Sequence, residues 1–143
     1  MTQRIITKIF GWGGTFAAMA LILAIWLGGI YGGKIEGRYF PVVVNTAVTE
    51  IERVGDIESR VWGSSEKVRQ CAFERIEWYI GSEDAYSRVA VSFEERSKAR
   101  PDGDLSFGPW LIRMTPEEVL HRSFAVVVHR CHPLWLTETR FYP

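Results

Sequence analysis

Net charge is the first thing this chain lacks. Its 17 Lys and Arg are matched by 17 Asp and Glu. Setting aside Arg4 and Lys8 leaves 15 basic residues against 17 acidic, a balance of −2 for the rest. A nucleic-acid surface needs a clustered basic excess, so nucleic acid is excluded as a partner class. Sulfur and imidazole are also scarce, with two cysteines and three histidines. No G-x-S-x-G, H-E-x-x-H or P-loop pattern occurs. Paired carboxylates stand at Glu94-Glu95, Asp102/Asp104 and Glu117-Glu118. The first two lie in a hydrophilic stretch and the third opens a helix, and neither setting shifts a carboxyl group for acid–base work. The expectation is a protein with no catalytic residues and no cofactor.

What the chain does have is one apolar segment, Phe10 to Tyr31, with no charged residue inside it. About 20 apolar residues suffice to cross a bilayer. The segment is longer than the usual core of a secretory signal, and no clear A-x-A-like cleavage site follows it. We therefore expect a transmembrane anchor over 10–32, a short cytoplasmic tail over 1–9, a glycine-rich linker over 33–41 and one domain over 42–143. About 110 residues suffice for a single core. Lys and Arg flank both ends of the span and barely discriminate its orientation. The cysteines do better. Cys71 and Cys131 both follow the anchor, and an even pair in a small, strand-rich domain reads as a disulfide of an oxidising compartment. The expected location is a cell inner membrane, single-pass, with the N-terminus cytoplasmic and the domain periplasmic.

Small residues recur on one face of the anchor: Gly13, Ala17, Ala20, Ala24, Gly28 and Gly32. In lipid such a face lets helix backbones approach. The expected partners are the bilayer and other transmembrane helices, from a second copy or a larger complex, with an extracytoplasmic protein partner for the domain. The glycine run beyond Gly28 also reads as a flexible exit.

After Pro41 the texture becomes short runs of Val, Ile, Thr and aromatics between turn residues. Strands are expected over 42–54, 57–63, 69–80, 86–93, 107–114, 124–131 and 134–142. Gly63-Ser64-Ser65 should end the second, and a bulge near Glu74-Arg75 should reconcile the two apolar phases of the third. Tyr86 to Phe93 alternates as one strand. Residues 94–106 read as a solvated loop, the most mobile part of the domain. Pro109 suggests an edge or a strand start. Thr115-Pro116-Glu117-Glu118 is a capping box opening a brief helix. Phe124 to Cys131 is apolar on both faces and reads as a central strand. The fold class is all-β: an immunoglobulin-like β-sandwich with one short helix, in which Trp78 would sit beside an intersheet disulfide.

His129, Cys131 and His132 form the one metal-like cluster, suited to zinc or copper. They give a rival reading as a periplasmic metal-handling factor. Against it, His129 and His132 fall on opposite strand faces, and Cys131 is expected to pair with Cys71.

Lys67-Val68-Arg69-Gln70-Cys71, then Trp78-Tyr79, then Gly108-Pro109-Trp110 after Arg100-Pro101-Asp102-Gly103 stand in order. Over most of residues 40–114 this resembles small single-pass membrane proteins of unknown function encoded in phage and prophage genomes. The resemblance implies no catalytic residue. It implies a virion-membrane or host-envelope setting for a binding or structural subunit.

Overall fold

The computed structural model describes residues 2–82, 84–93 and 103–143, with side chains from Gly13 onward. The apolar segment is the body of one long helix, α1 (Thr2–Tyr39). Among the described residues eight strands and a second helix follow: β1 (Val43–Arg53), β2 (Ser59–Lys67), β3 (Ala72–Gly81), β4 (Tyr86–Val89), β5 (Val91–Phe93), β6 (Gly103–Ile112), α2 (Pro116–Arg122), β7 (Ser123–Arg130) and β8 (Thr137–Phe141). They form two antiparallel four-stranded sheets, ordered β1-β2-β6-β5 and β4-β3-β7-β8.

One core lies between the sheets. Trp78 of β3 is fully buried at its centre. Its ring meets Trp110 edge-on at 6.2 Å and Phe141 at 5.7 Å. A buried indole N–H needs an acceptor. Trp78 Nε1 donates to Ser123 Oγ at 2.8 Å, and that hydroxyl donates to the Val119 carbonyl at 2.6 Å. The chain ties α2 to the core. Thr115 caps α2 by accepting from the Glu118 N–H, and the Glu118 carboxylate accepts from the Thr115 N–H, which is the expected capping box.

β7 is buried on both faces, as its apolar run requires. Ala125 and Val127 enter the central core, while Phe124, Val126 and Val128 pack under Tyr79 and Leu136 on the other side. The register of β3 against β7 slips between Phe73 and Arg75, where the two apolar phases meet, so the bulge lies where the pattern demanded it.

Four expectations are corrected. Gly63 does not end β2, which runs on to Lys67. Gly63 instead makes room, because a Cβ there would collide with the Phe107 ring and the Ala47 carbonyl. The run from Tyr86 to Phe93 is not one strand. It changes sheet at Ala90, so β4 pairs with β3 and β5 pairs with β6. Pro109 lies inside β6, an inner strand, and is accommodated where the register against β2 slips between Val61 and Gly63. The stretch expected as a flexible exit is helical, because α1 continues unbroken to Tyr39. The loop expected over 94–106 lies outside the described residues up to 102, and its remainder belongs to β6.

Candidate functional site: the helix–sheet junction

α1 changes surroundings along its length. Every residue from Gly13 to Leu27 is exposed, among them Phe16, Ile22 and Trp26, each more than 60% exposed. By length and composition this helix can cross a membrane. From Gly28 onward the helix lies along the domain. Gly33 and Gly37 are buried, and the element they meet is β8.

β8 is the edge strand of its sheet. An open edge presents unpaired carbonyl and N–H groups that proteins cover. Here the last turns of α1 cover it, and glycine makes the cover fit. A Cβ on Gly33 would run into the Leu136 carbonyl oxygen, and one on Gly37 into the Glu138 carbonyl oxygen. A Cβ on Gly32 would stand 2.6 Å from the Trp135 ring, and one on Gly28 would stand 3.7 Å from it. The small-residue stripe is therefore divided. Gly28 and Gly32 receive Trp135 of the same chain, whereas Gly13, Ala17, Ala20 and Ala24 are exposed.

Glu36 pins this contact. It sits one turn past Gly32 with its side chain 14% exposed. Oε1 pairs with Arg69 at 2.7 Å. Oε2 accepts from Trp135 Nε1 and Thr137 Oγ1, both at 2.8 Å, and lies 3.0 Å from His132 Nε2. The Leu134 N–H donates to His132 Nδ1 at 3.2 Å, which places the ring proton on Nε2, facing Glu36. Four donors from two separate segments thus converge on one carboxylate, whose ionised form has acceptors only. Arg69 also donates to the Phe40 carbonyl at 2.7 Å, closing the end of the helix onto the domain.

The disulfide sits next to this cluster. Cys71 and Cys131 are bonded across 60 residues of sequence. Cys71 precedes β3 and Cys131 follows β7, two neighbours in one sheet, so the link is not intersheet and does not lie beside Trp78. It fastens the start of the 131–136 segment, whose His132 and Trp135 reach Glu36.

The metal-like cluster is dispersed by these bonds. Cys131 is committed to Cys71, and His132 to Glu36. His129 is 3% exposed and points elsewhere, with Nδ1 lacking any hydrogen-bond partner. Burial, with a smaller contribution from the Lys67 charge, lowers its pKa to about 4, so the ring is neutral at neutral pH. Among the described residues no group of three metal-ligating side chains comes together.

Other charged groups near the sheets pair with one another. Glu117 pairs with Arg53 at 3.0 Å in an exposed contact. Glu77 accepts from the Tyr79 hydroxyl at 2.6 Å and from Arg75 at 2.9 Å. The Tyr79 hydrogen bond, ahead of Arg75 and Arg88, outweighs burial and holds the Glu77 carboxyl below its usual range. Burial and then Glu77 push the Tyr79 hydroxyl up to about 12. Glu94, Glu95 and Asp102 lie outside the described residues.

Sequence reasoning missed Glu36 as a site residue, although a signal was present. A carboxylate just beyond an apolar span, between glycines spaced four apart, marks a helix face prepared for close approach and a polar contact. The architecture is a two-sheet β domain on a helix long and apolar enough to span a bilayer. No family model, curated protein or solved structure matches this chain.

Proposed function

We propose that this chain is a non-enzymatic, single-pass membrane protein, a binding or structural subunit of an envelope complex that holds its β domain at a fixed angle to the bilayer. The observation that carries this reading is the junction at Glu36. A flexible linker would let the domain swing. Here the anchor helix continues into the domain without a break, covers the β8 edge and is pinned by Arg69, His132, Trp135 and Thr137. The groups best suited to chemistry are engaged here: a partly buried carboxylate and an imidazole in that attachment, and the two cysteines in the disulfide beside it. This also weighs against metal handling by Cys131 and His132.

The disulfide supports an extracytoplasmic domain and a cytoplasmic N-terminus, in an inner membrane or, following the phage resemblance, in a virion membrane. The immunoglobulin-like class belongs to the same proposal. It is supported by the strand order, in which strands one, two, six and five form one sheet and four, three, seven and eight the other, and by a buried Trp on the third strand.

The membrane partner would meet the uncovered part of the small-residue stripe, Ala17 to Ala24. Photo-crosslinking amino acids placed singly at Ala20, Ala24 and, on the opposite face, Ile22 test this in native membranes. Discrete adducts from the first two and none from Ile22 are expected. Equal labelling from all three positions, or lipid adducts alone, would sink the reading.

A further inference from the structure

The turn that follows the disulfide is exposed and apolar. Between His132 and Glu138 the chain reads Pro133-Leu134-Trp135-Leu136-Thr137, without a charge. Pro133 and Leu134 are both exposed. Leu134, at 74%, is the most exposed large apolar side chain among the described residues. An exposed apolar surface of this kind marks a place that meets protein or lipid.

Its height along α1 decides between the two. The Glu138 carbonyl lies against Gly37 and the Leu136 carbonyl against Gly33, so this part of the chain runs antiparallel to the helix. Each earlier residue lies nearer the apolar half of α1. The Trp135 ring extends the series: Nε1 bonds Glu36, and the far edge of the ring stands against Gly28. His132 is back at the level of Glu36, so the chain reverses at Pro133-Leu134, on the side of the apolar half. The Leu134 N–H closes that turn on His132 Nδ1 at 3.2 Å.

The helix supplies the other scale. The charge-free part of α1 lies between Lys8 and Lys34. About 20 helical residues cross the hydrocarbon, so a span entered after Lys8 is left near Gly28. Counted back from Lys34 instead, the hydrocarbon includes Gly28. Either count puts the ring of Trp135 at the hydrocarbon edge or within it. Tyr31, also exposed, stands close by on the helix. Trp and Tyr rings favour this level of a bilayer.

We propose, resting on the reading of α1 as a membrane span, that the Pro133-Leu134 turn seats the β domain in the bilayer interface, with Leu134 among the upper acyl carbons. The occupant of this surface is lipid, because the turn belongs to a segment pinned on the span itself. The Glu36 bonds to His132 and Trp135 leave it no other height. Apolar side chains set beside a boundary Trp are what holds interfacial segments to a membrane.

The experiment uses the full chain in phosphatidylcholine nanodiscs. A fluorescent noncanonical amino acid replaces Leu134, Met19 or Ile57, one at a time. All three side chains are exposed, so each replacement spares the core. Met19 lies in the apolar half of α1, and Ile57 lies past the end of β1 that is remote from α1. The quenchers are lipids brominated near the headgroup end or near the methyl end of their chains. Position 134 should lose more emission to the headgroup-end bromines, Met19 more to the methyl-end bromines, and Ile57 to neither. Emission from 134 should also be shifted to the blue of that from 57. No quenching at 134 while Met19 is quenched would overturn the proposal and leave the span reading standing. A blue-shifted probe at 134 that bromolipids do not quench would show a protein cover and overturn it equally. No quenching at Met19 would overturn the span reading and this proposal with it.

Discussion

The two halves of α1 are built from similar residues and have different surroundings. Gly13 to Leu27 is apolar, dotted with small side chains, and exposed throughout. Gly28 to Tyr39 is also rich in small residues, but strand β8 and the Trp135 ring lie against it. Small residues at a spacing of four flatten a helix face in either half. What separates the halves is the polar complement. Glu36 gives the second half a partly buried charge that four donors of the domain satisfy, whereas the first half offers no charged group that would choose a partner. A flat face permits contact, and the carboxylate assigns it.

The largest effect expected from breaking this comparison comes from the bond that holds the donors in place. Replacing Cys71 and Cys131 by Ser releases a 60-residue closure and should cost about 4 kcal/mol in denaturant unfolding of the reconstituted chain. It should also expose the 131–136 segment to protease, while labels on residues 13–27 stay unchanged.

Next comes the carboxylate itself. Glu36→Ala leaves Arg69 and the Trp135 and Thr137 donors without their acceptor. It should cost about 3 kcal/mol, discounted because Arg69 is partly exposed. The exposed Arg53–Glu117 pair is the control, and Arg53→Ala should cost under about 1 kcal/mol. Equal costs would show that the junction is no more than a surface contact.

The same substitution placed in both halves sharpens the contrast further. Gly37→Leu drives a side chain into the Glu138 carbonyl and should cost about 2–3 kcal/mol, because backbone cannot yield as a side-chain tip can. Ala20→Leu in the exposed half should change unfolding by no more than about 0.5 kcal/mol. Its effect should appear only in crosslinking to a membrane partner.

Acid acts on the second half of α1 and on the domain, since residues 13–27 carry no titratable side chain. His129 has its pKa lowered to about 4 from an ordinary value of 6.5. Between those values the unfolded chain takes up a proton that the folded chain refuses. The stability contributed by neutral His129 is therefore complete above pH 6.5, falls as the pH drops toward about 4, and then levels off. The loss is at most about 3 kcal/mol. His129→Phe should remove that part of the slope. An identical slope in His129→Phe and the parent chain would mean that the imidazole titrates freely.

Much of the fold was legible because it rests on local rules. The span, the capping box at Thr115, the bulge between Phe73 and Arg75 and the two-faced burial of β7 follow from periodicity and residue type. The failures share a cause. Gly63 and Pro109 read as breakers, but a bulge and a close-packed Phe107 ring give each of them a place inside a sheet. The alternation from Tyr86 to Phe93 is true of every residue in it, yet nothing local records that Ala90 is where the chain crosses between sheets. Of the site, the disulfide was legible; the small-residue stripe was read as a contact with other helices, and its Gly28 and Gly32 meet Trp135 of the same chain. The dispersal of His129, Cys131 and His132 was foreshadowed by their opposite strand faces, but the groups each would reach were not.

The sequence by itself determined that this protein has a span-length apolar helix, a β-rich domain and two cysteines suited to pairing, since hydropathy, period and composition act over short stretches. Only the tertiary structure decided that Gly28 and Gly32 receive Trp135, that Glu36 joins the long helix to the domain, and that His129 ends buried beside Phe73 with its Nδ1 unpaired. Those outcomes depend on contacts between residues far apart in the chain, where no local pattern acts and only the packing of one whole sheet edge against a helix selects the partner.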